Sequence, residues 1–254
     1  MRILLTNDDG YLAPGINVTF QHLVAAGHEV IIIAPERNSS GAGQSIAVYN
    51  PISLTKINQQ IYFVTSTPAD SVRLGLQEVY GEPSNYPDLV ISGVNLGENI
   101  GEDVMYSGTV GAAREGTLHG IPSLAFSTPG PTFKHLASSA NIIVDLVAKL
   151  AKNHHLLGKA FIWNINIPDC EYSQIKGYEI TKLGSRPSHY PLQKQITPRG
   201  DVIYWQGMQR DPESAEYGTD IATFIKQEFV SITPLELLPT AYDQMPIISS
   251  SLME

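Results

Sequence analysis

A chain of 254 residues, 43% hydrophobic and 16% charged, is long enough to bury its own core and too apolar for a disordered or coiled-coil class. Its formal net charge of -9, with no basic run, argues against binding a nucleic-acid duplex, which relies on clustered Lys and Arg. Its longest apolar runs, such as Val30 to Ala34 and Ile142 to Val144, fall far short of the ~20 residues that cross a bilayer. No signal peptide precedes Asp8, and the single Cys170 cannot form an intrachain bridge, so a cytoplasmic protein away from membranes is expected.

The first half alternates short β-rich apolar runs with helical stretches, the pattern of a parallel sheet with crossover helices. Arg2 to Thr6 is expected as strand one, followed by a helix over about Ile16 to Ala26 that Gly27 stops, and by a buried strand over His28 to Ala34. Gln44 to Val64, rich in polar residues, reads as a small antiparallel excursion. Pro68 to Tyr80 reads as helix, Asp88 to Ser92 as a buried strand, and Thr109 to His119 as a helix ended by Gly120. Ile121 to Ser127 is expected as a strand and Lys134 to Lys152 as an amphipathic helix. Ala160 to Ile167 is a further strand, after which Gly177 to Asp211 holds short strand candidates broken by proline and glycine, read as an extended hairpin or oligomerisation arm. With no repeat and no linker, one α/β domain over 1–254 is expected, with about 177–254 as a C-terminal elaboration.

The chemistry concentrates in Thr6-Asn7-Asp8-Asp9-Gly10, directly after strand one, because open α/β sheets bind ligands at the carboxyl ends of their strands. Adjacent carboxylates repel, and Gly10 lets the chain turn so that both face one site, where a divalent cation would relieve the repulsion. A turn and a helix-capping pair would account for Asp8 and Asp9 equally well when the dipeptide is taken alone. Three later loops fall at or after predicted carboxyl ends: Ala34 to Gly41, Ser92 to Asn99, and Tyr106 to Gly111. An oxygen-rich set of Asp, Asp, Ser and Asn suits a hard cation such as Mg²⁺ or Mn²⁺ better than zinc. Ser107-Gly108-Thr109, before Val110-Gly111-Ala112-Ala113, has the makings of a phosphate site at a helix amino end, or of an ordinary N-cap. Arg114 could neutralise phosphate or be solvated. His119, His135, His154, His155 and His189 show no ligand spacing and are expected to be structural or surface residues.

Taken in order, TNDDG, APERNSSGAGQS, ISGVNLGENIG, VMYSGTVGAAREG, IPSLAFS and SITPL resemble the stationary-phase survival proteins of the SurE family, from Met1 to about Leu235. The resemblance implies a Rossmann-like, mostly parallel sheet with flanking helices, plus a C-terminal hairpin used in oligomerisation. It implies a metal-dependent hydrolase of nucleoside 5′-monophosphates, often also of 3′-monophosphates and sometimes of polyphosphate. One divalent cation per subunit, Mg²⁺ or Mn²⁺, would be held by Asp8, Asp9, Ser40 and Asn95. The carboxylates of Asp8 and Asp9 would carry catalysis, Asn7, Ser107, Gly108 and Thr109 would bind substrate, and the assembly would be a homodimer or homotetramer. The pattern departs from the family at Ser39, where a basic residue is common, and at Thr67-Pro68-Ala69-Asp70-Ser71. Two rivals stand beside it: an aspartyl-phosphate phosphatase, which characteristically spaces its aspartates as DxD where this chain has Asp8-Asp9 followed by Gly10 and Tyr11, and a regulatory module that binds nucleotide without turnover.

Overall fold

A computed structural model describes residues 1–130, 133–156, 161–186, 192–207 and 215–252. Its elements in chain order are β1 (Arg2–Thr6), α1 (Pro14–Ala25), β2 (Glu29–Pro35), β3 (Leu54–Lys56), β4 (Ile61–Val64), α2 (Pro68–Leu74), β5 (Leu89–Leu96), α3 (Gly108–Leu118), β6 (Ser123–Thr128), α4 (Leu136–Lys152) and β7 (Phe161–Asn166). The remainder holds β8 (Tyr178–Ile180), β9 (Gln193–Ile196), β10 (Val202–Trp205), α5 (Asp220–Lys226), β11 (Val230–Glu236) and α6 (Gln244–Leu252).

Nine strands form one sheet in the order β3-β4-β2-β1-β5-β6-β7-β11-β8. The six from β4 to β7 run parallel, with β3 antiparallel at one edge and β11 antiparallel to β7 near the other. Both faces are covered, so the central strands are apolar throughout and alternate between two cores. Ile3 and Leu5, Val30 and Ile32, and Leu89 and Ile91 point into the core shared with α1 and α4, where Ile16, Leu23, Ile143 and Val147 pack. Leu4, Ile33 and Val90 point the other way, against Val72 and Leu76 and against Ala112 of α3. The N-terminal strands therefore have a fixed register, since a one-residue slip would exchange the two cores.

Several boundaries differ from the sequence expectation for local reasons. Helix α1 begins earlier because Pro14 suits the first helical turn, where no N–H is needed. The Pro68 to Tyr80 stretch is α-helical only to Leu74, then widens into a π-helical turn over Gly75–Tyr80. The excursion after Gln44 closes as the antiparallel β3–β4 pair, yet β4 also joins the main sheet through β2. Strand β5 passes through Gly93 and continues to Leu96, with a register shift against β6 between Ser92 and Asn95. At Gly93 φ is +128°, and a Cβ would lie 2.3 Å from the carbonyl oxygen of Phe126. Only glycine fits there, and the shift turns the end of β5 toward the site.

Residues beyond 177 contribute β8 and β11 to the main sheet and also form the β9–β10 hairpin, a separate two-stranded antiparallel pair. That hairpin exposes Ile196, Val202, Tyr204 and Trp205. Ala160, residues 187–191 and 208–211 of the expected arm, and His189 lie outside the described residues. No helix of the described residues is long and apolar enough to cross a membrane.

Candidate active site

The carboxyl ends of β1, β2 and β5 and the amino end of α3 meet at one place. Asn7 shapes the turn that starts it: the fully buried side chain donates to the Gly10 carbonyl (2.9 Å) and accepts from the Gly10 N–H (3.2 Å). Both ends of its amide are thereby spent on the backbone. Gly10 sits at φ +101°, so the loop reverses and presents Asp8 and Asp9 together.

Asp8 is 4% exposed. Its Oδ1 accepts from Thr109 Oγ1 at 2.5 Å. A Cβ on Gly108 would lie 2.8 Å from Asp8 Cβ and 2.9 Å from Oδ2, so the first turn of α3 rests directly on this carboxylate. Burial pushes the Asp8 pKa upward, opposed by hydrogen bonds from the Thr109 side chain and from backbone N–H groups including those of Thr109 and Gly108. Asp9 accepts from Asn38 Nδ2 (3.2 Å) and from the Leu96 N–H (3.3 Å), which ties β1 to the loops after β2 and β5. Burial first, and the neighbouring Asp8 charge second, push the Asp9 pKa up to about 6.

Ser40 and Asn95 are brought to this pair from opposite sides. The Ser40 N–H donates to Asn38 Oδ1 (2.9 Å), and Asn38 in turn holds Asp9. Asn95 directly precedes Leu96, and its Nδ2 donates to the Gly97 carbonyl (2.8 Å), which fixes the amide and leaves Oδ1 without a hydrogen bond among the described residues. Two carboxylates disfavoured as anions, an open amide oxygen and an exposed hydroxyl make an oxygen donor set that fits a hard divalent cation. No group of three or more His, Cys, Asp or Glu among the described residues offers a competing metal site.

Ser107 caps α3 by accepting from the Val110 N–H (3.1 Å), so its capping role is realised. Helix α3 is pressed close to the loops: a Cβ on Gly111 would meet the Gly43 carbonyl oxygen at 2.2 Å, and the Gly43 N–H donates to the Tyr106 carbonyl (2.9 Å). No hydrogen bond or ion pair among the described residues reaches the Arg114 side chain, whose Nε is buried without a partner. His119 pairs with Glu115 and His135 with Glu171, both at 3.4 Å, away from the carboxylate pair.

Two contributions escaped the sequence. Asn38 links Asp9 to Ser40, and only its position in a Ser- and Gly-rich turn hinted at this. The loop between Asn95 and Ser107 is clamped from the distant C-terminal segment. There Arg186 pairs with Asp103 (2.9 Å) and Glu98 (3.2 Å), while buried Asp220 accepts from the N–H groups of Gly101 (2.9 Å) and Gly184 (2.7 Å). Beneath it, the Asn99 carbonyl accepts from Asn164 and Asn166, and its amide donates to Ser127 (2.7 Å).

A sequence profile described as Survival protein SurE matches residues 3–189. The 5′-nucleotidase SurE of Methylobacillus flagellatus is 43% identical over 96% of both chains, and that of Aliivibrio fischeri 41% identical over 98% of this chain and 94% of its own. The crystal structure of the SurE protein from Aquifex aeolicus superposes with a TM-score of 0.87 at 39% identity, covering 100% of each chain. With the profile spanning most of the sheet and both halves of the carboxylate site, the chain belongs to the SurE family.

Proposed function

We propose that the protein hydrolyses nucleoside 5′-monophosphates to nucleoside and phosphate, with Asp8, Asp9, Ser40 and Asn95 holding one Mg²⁺ or Mn²⁺ ion. The observation that carries this is the carboxylate pair itself. Asp8 and Asp9 are both pushed toward protonation while lying at the amino end of α3 beside open oxygen donors. A bound cation would offset their repulsion and supply Lewis-acid charge for phosphoryl transfer. Ser107, Gly108 and Thr109 receive the phosphate, with backbone N–H groups at the positive end of the helix opposing charge on its oxygens. Thr109 holds Asp8 in place, and Asn7 acts through the turn that it braces. Because Asp8 is tied down on Oδ1 and nearly inaccessible, attack by water is favoured over an aspartyl-phosphate intermediate. A homodimer or homotetramer is supported by the apolar residues on the β9–β10 hairpin, since an isolated two-stranded hairpin is marginal in water. We place the protein in the cytoplasm, in keeping with its single cysteine.

The test is phosphate release from a panel of nucleoside 5′- and 3′-monophosphates after dialysis against chelator, then with Mg²⁺, Mn²⁺, Ca²⁺ or Zn²⁺ added back. Activity should vanish on chelation and return best with Mg²⁺ or Mn²⁺. Full activity in excess chelator would refute the metal site.

A further inference from the structure

Residues 41–47, between Ser40 and β3, lie as a strap across one face of α3. Gly108, Gly111 and Glu115 share that face at helical spacing, i, i+3 and i+7. The first of them rests on Asp8. One turn later, a Cβ on Gly111 would lie 2.2 Å from the Gly43 carbonyl oxygen and 2.9 Å from Gln44 Cα, so the strap backbone sits directly on the helix. A further turn along, Gln44 Nε2 donates to Glu115 Oε2 at 2.9 Å. At its other end the strap is joined to the site. The Ala42 N–H donates to the Ser39 carbonyl (3.1 Å) around the turn that carries Ser40, and the Gly43 N–H donates to the Tyr106 carbonyl (2.9 Å), next to Ser107.

Glu115 is held from both sides. It is 7% exposed, and its Oε1 lies 3.6 Å from Arg73 Nε of α2 and 3.4 Å from His119 Nε2, which leaves Oε2 for Gln44. A nearly buried carboxylate paired with a neighbouring helix is a fixed acceptor, and its hydrogen bond from an amide is charge-assisted. Gln44 is the one side chain of the strap that reaches α3 with a hydrogen bond among the described residues. Past it, Thr67 Oγ1 donates to the Ser45 carbonyl (2.7 Å) and Asp70 Oδ2 accepts from the Ala47 N–H (2.8 Å), so the start of α2 fixes the far end. The Gln44–Glu115 bond stands between that anchor and the turn at Ser40.

A strap shifted off α3 would carry the Ser40 hydroxyl with it. It would also take the Gly43 donor from the Tyr106 carbonyl and so loosen the turn that places Ser107. We infer that Glu115 and Gln44 are a positioning pair: their hydrogen bond sets the strap against α3 and thereby holds the Ser40 oxygen and the phosphate-binding turn in place together. Both act through the backbone rather than by touching substrate. This rests on the metal and nucleotidase assignments above and adds to them the residues that keep two of their loops in register.

The test measures Mn²⁺ affinity by calorimetric titration, and kcat/KM for a nucleoside 5′-monophosphate at saturating Mn²⁺, in wild type, Gln44→Glu, Gln44→Ala, Glu115→Gln and the double exchange Gln44→Glu with Glu115→Gln. Gln44→Glu sets two carboxylates against each other across the 2.9 Å contact and should push the strap away. Its Kd for Mn²⁺ should rise about tenfold or more, the loss typical of an outer partner of a metal ligand. Its kcat/KM should fall about tenfold or more, because reacting groups are misplaced. Gln44→Ala removes the donor without adding charge and should move both values the same way by less, which keeps the test open if Gln44→Glu does not fold. In the double exchange the new amide donates to the new carboxylate while its oxygen stays toward Arg73. It should therefore recover most of both losses and exceed Gln44→Glu in each. Wild-type Kd and kcat/KM in Gln44→Glu and Gln44→Ala, whatever their melting temperatures, would overturn the positioning pair alone, as would a double exchange no better than Gln44→Glu. Wild type that neither binds Mn²⁺ nor hydrolyses the nucleotide would overturn the assignments beneath it.

Discussion

Replacing Asp9 by Asn should stabilise the metal-free protein near neutral pH while it damages turnover. Asp9 is raised from 3.8 to about 6, mainly by burial and then by the Asp8 charge. About two pH units correspond to roughly 3 kcal/mol, which partial solvent access reduces to about 1–2 kcal/mol. A carboxyl whose folded pKa is raised costs nothing while it is protonated in both states, below about pH 4. The cost grows as pH climbs from 3.8 and is complete above about 6. Metal-free Asp9→Asn should therefore melt with wild type near pH 4 and above it at pH 7.5, by about 2–6 °C for a chain of this size. Thermal unfolding after exhaustive chelation, at pH 4, 5, 6 and 7.5, gives the profile. Saturating Mn²⁺ should reverse the order at pH 7.5, because ion binding to the native state adds RT ln(1 + [L]/Kd) and the variant has the weaker site. Equal melting temperatures for the metal-free pair across the whole range would refute the electrostatic account of this site.

Other substitutions probe the frame around the pair. Gly108→Val should cut kcat/KM for a nucleotide by about 100-fold or more, because its Cβ would displace Asp8 from 2.8 Å away; unchanged kinetics would separate α3 from the chemistry. Thr109→Val removes the donor 2.5 Å from Asp8 and should weaken Mn²⁺ binding about tenfold or more, read by calorimetric titration. Arg186→Met removes the guanidinium from buried Asp103 and half-buried Glu98 and should cost about 3–5 kcal/mol in thermal unfolding. Exchanging those two acids for Asn and Gln in the same protein should recover part of that loss.

What could be read from the sequence was local. The alternating faces of β1, β2 and β5, the glycine after α1 and the Asp8-Asp9-Gly10 turn follow from residue periodicity and turn chemistry over a few positions. A strand ending at Ser92 is expected because Gly93 looks like a stop, whereas β5 runs on to Leu96 with Gly93 packed against the Phe126 carbonyl of the neighbouring strand. The SITPL motif lies within β11 but carries no strand signal of its own. Its Pro234 argues against a central position, yet β8 pairs only with Val230 to Ile232, so the proline meets no ladder on that side. The Arg186 clamp joins residues more than 80 positions apart, and no local pattern marks such a pair. At the site, sequence indicated which oxygen donors sit on which loops; the bridges through Asn38 and the Leu96 N–H, which bring them to Asp9, required the fold.

The most direct measurement is phosphate release from a nucleoside 5′-monophosphate by wild type and Asp9→Asn, purified identically and assayed at pH 7.5 with saturating Mn²⁺. Wild type should turn over steadily and the variant should lose at least about 100-fold in kcat/KM, the loss expected when reacting groups are no longer held in place, while remaining folded by circular dichroism. Equal turnover by the two proteins would contradict the assignment of the metal and of the chemistry to the carboxylates at the end of β1.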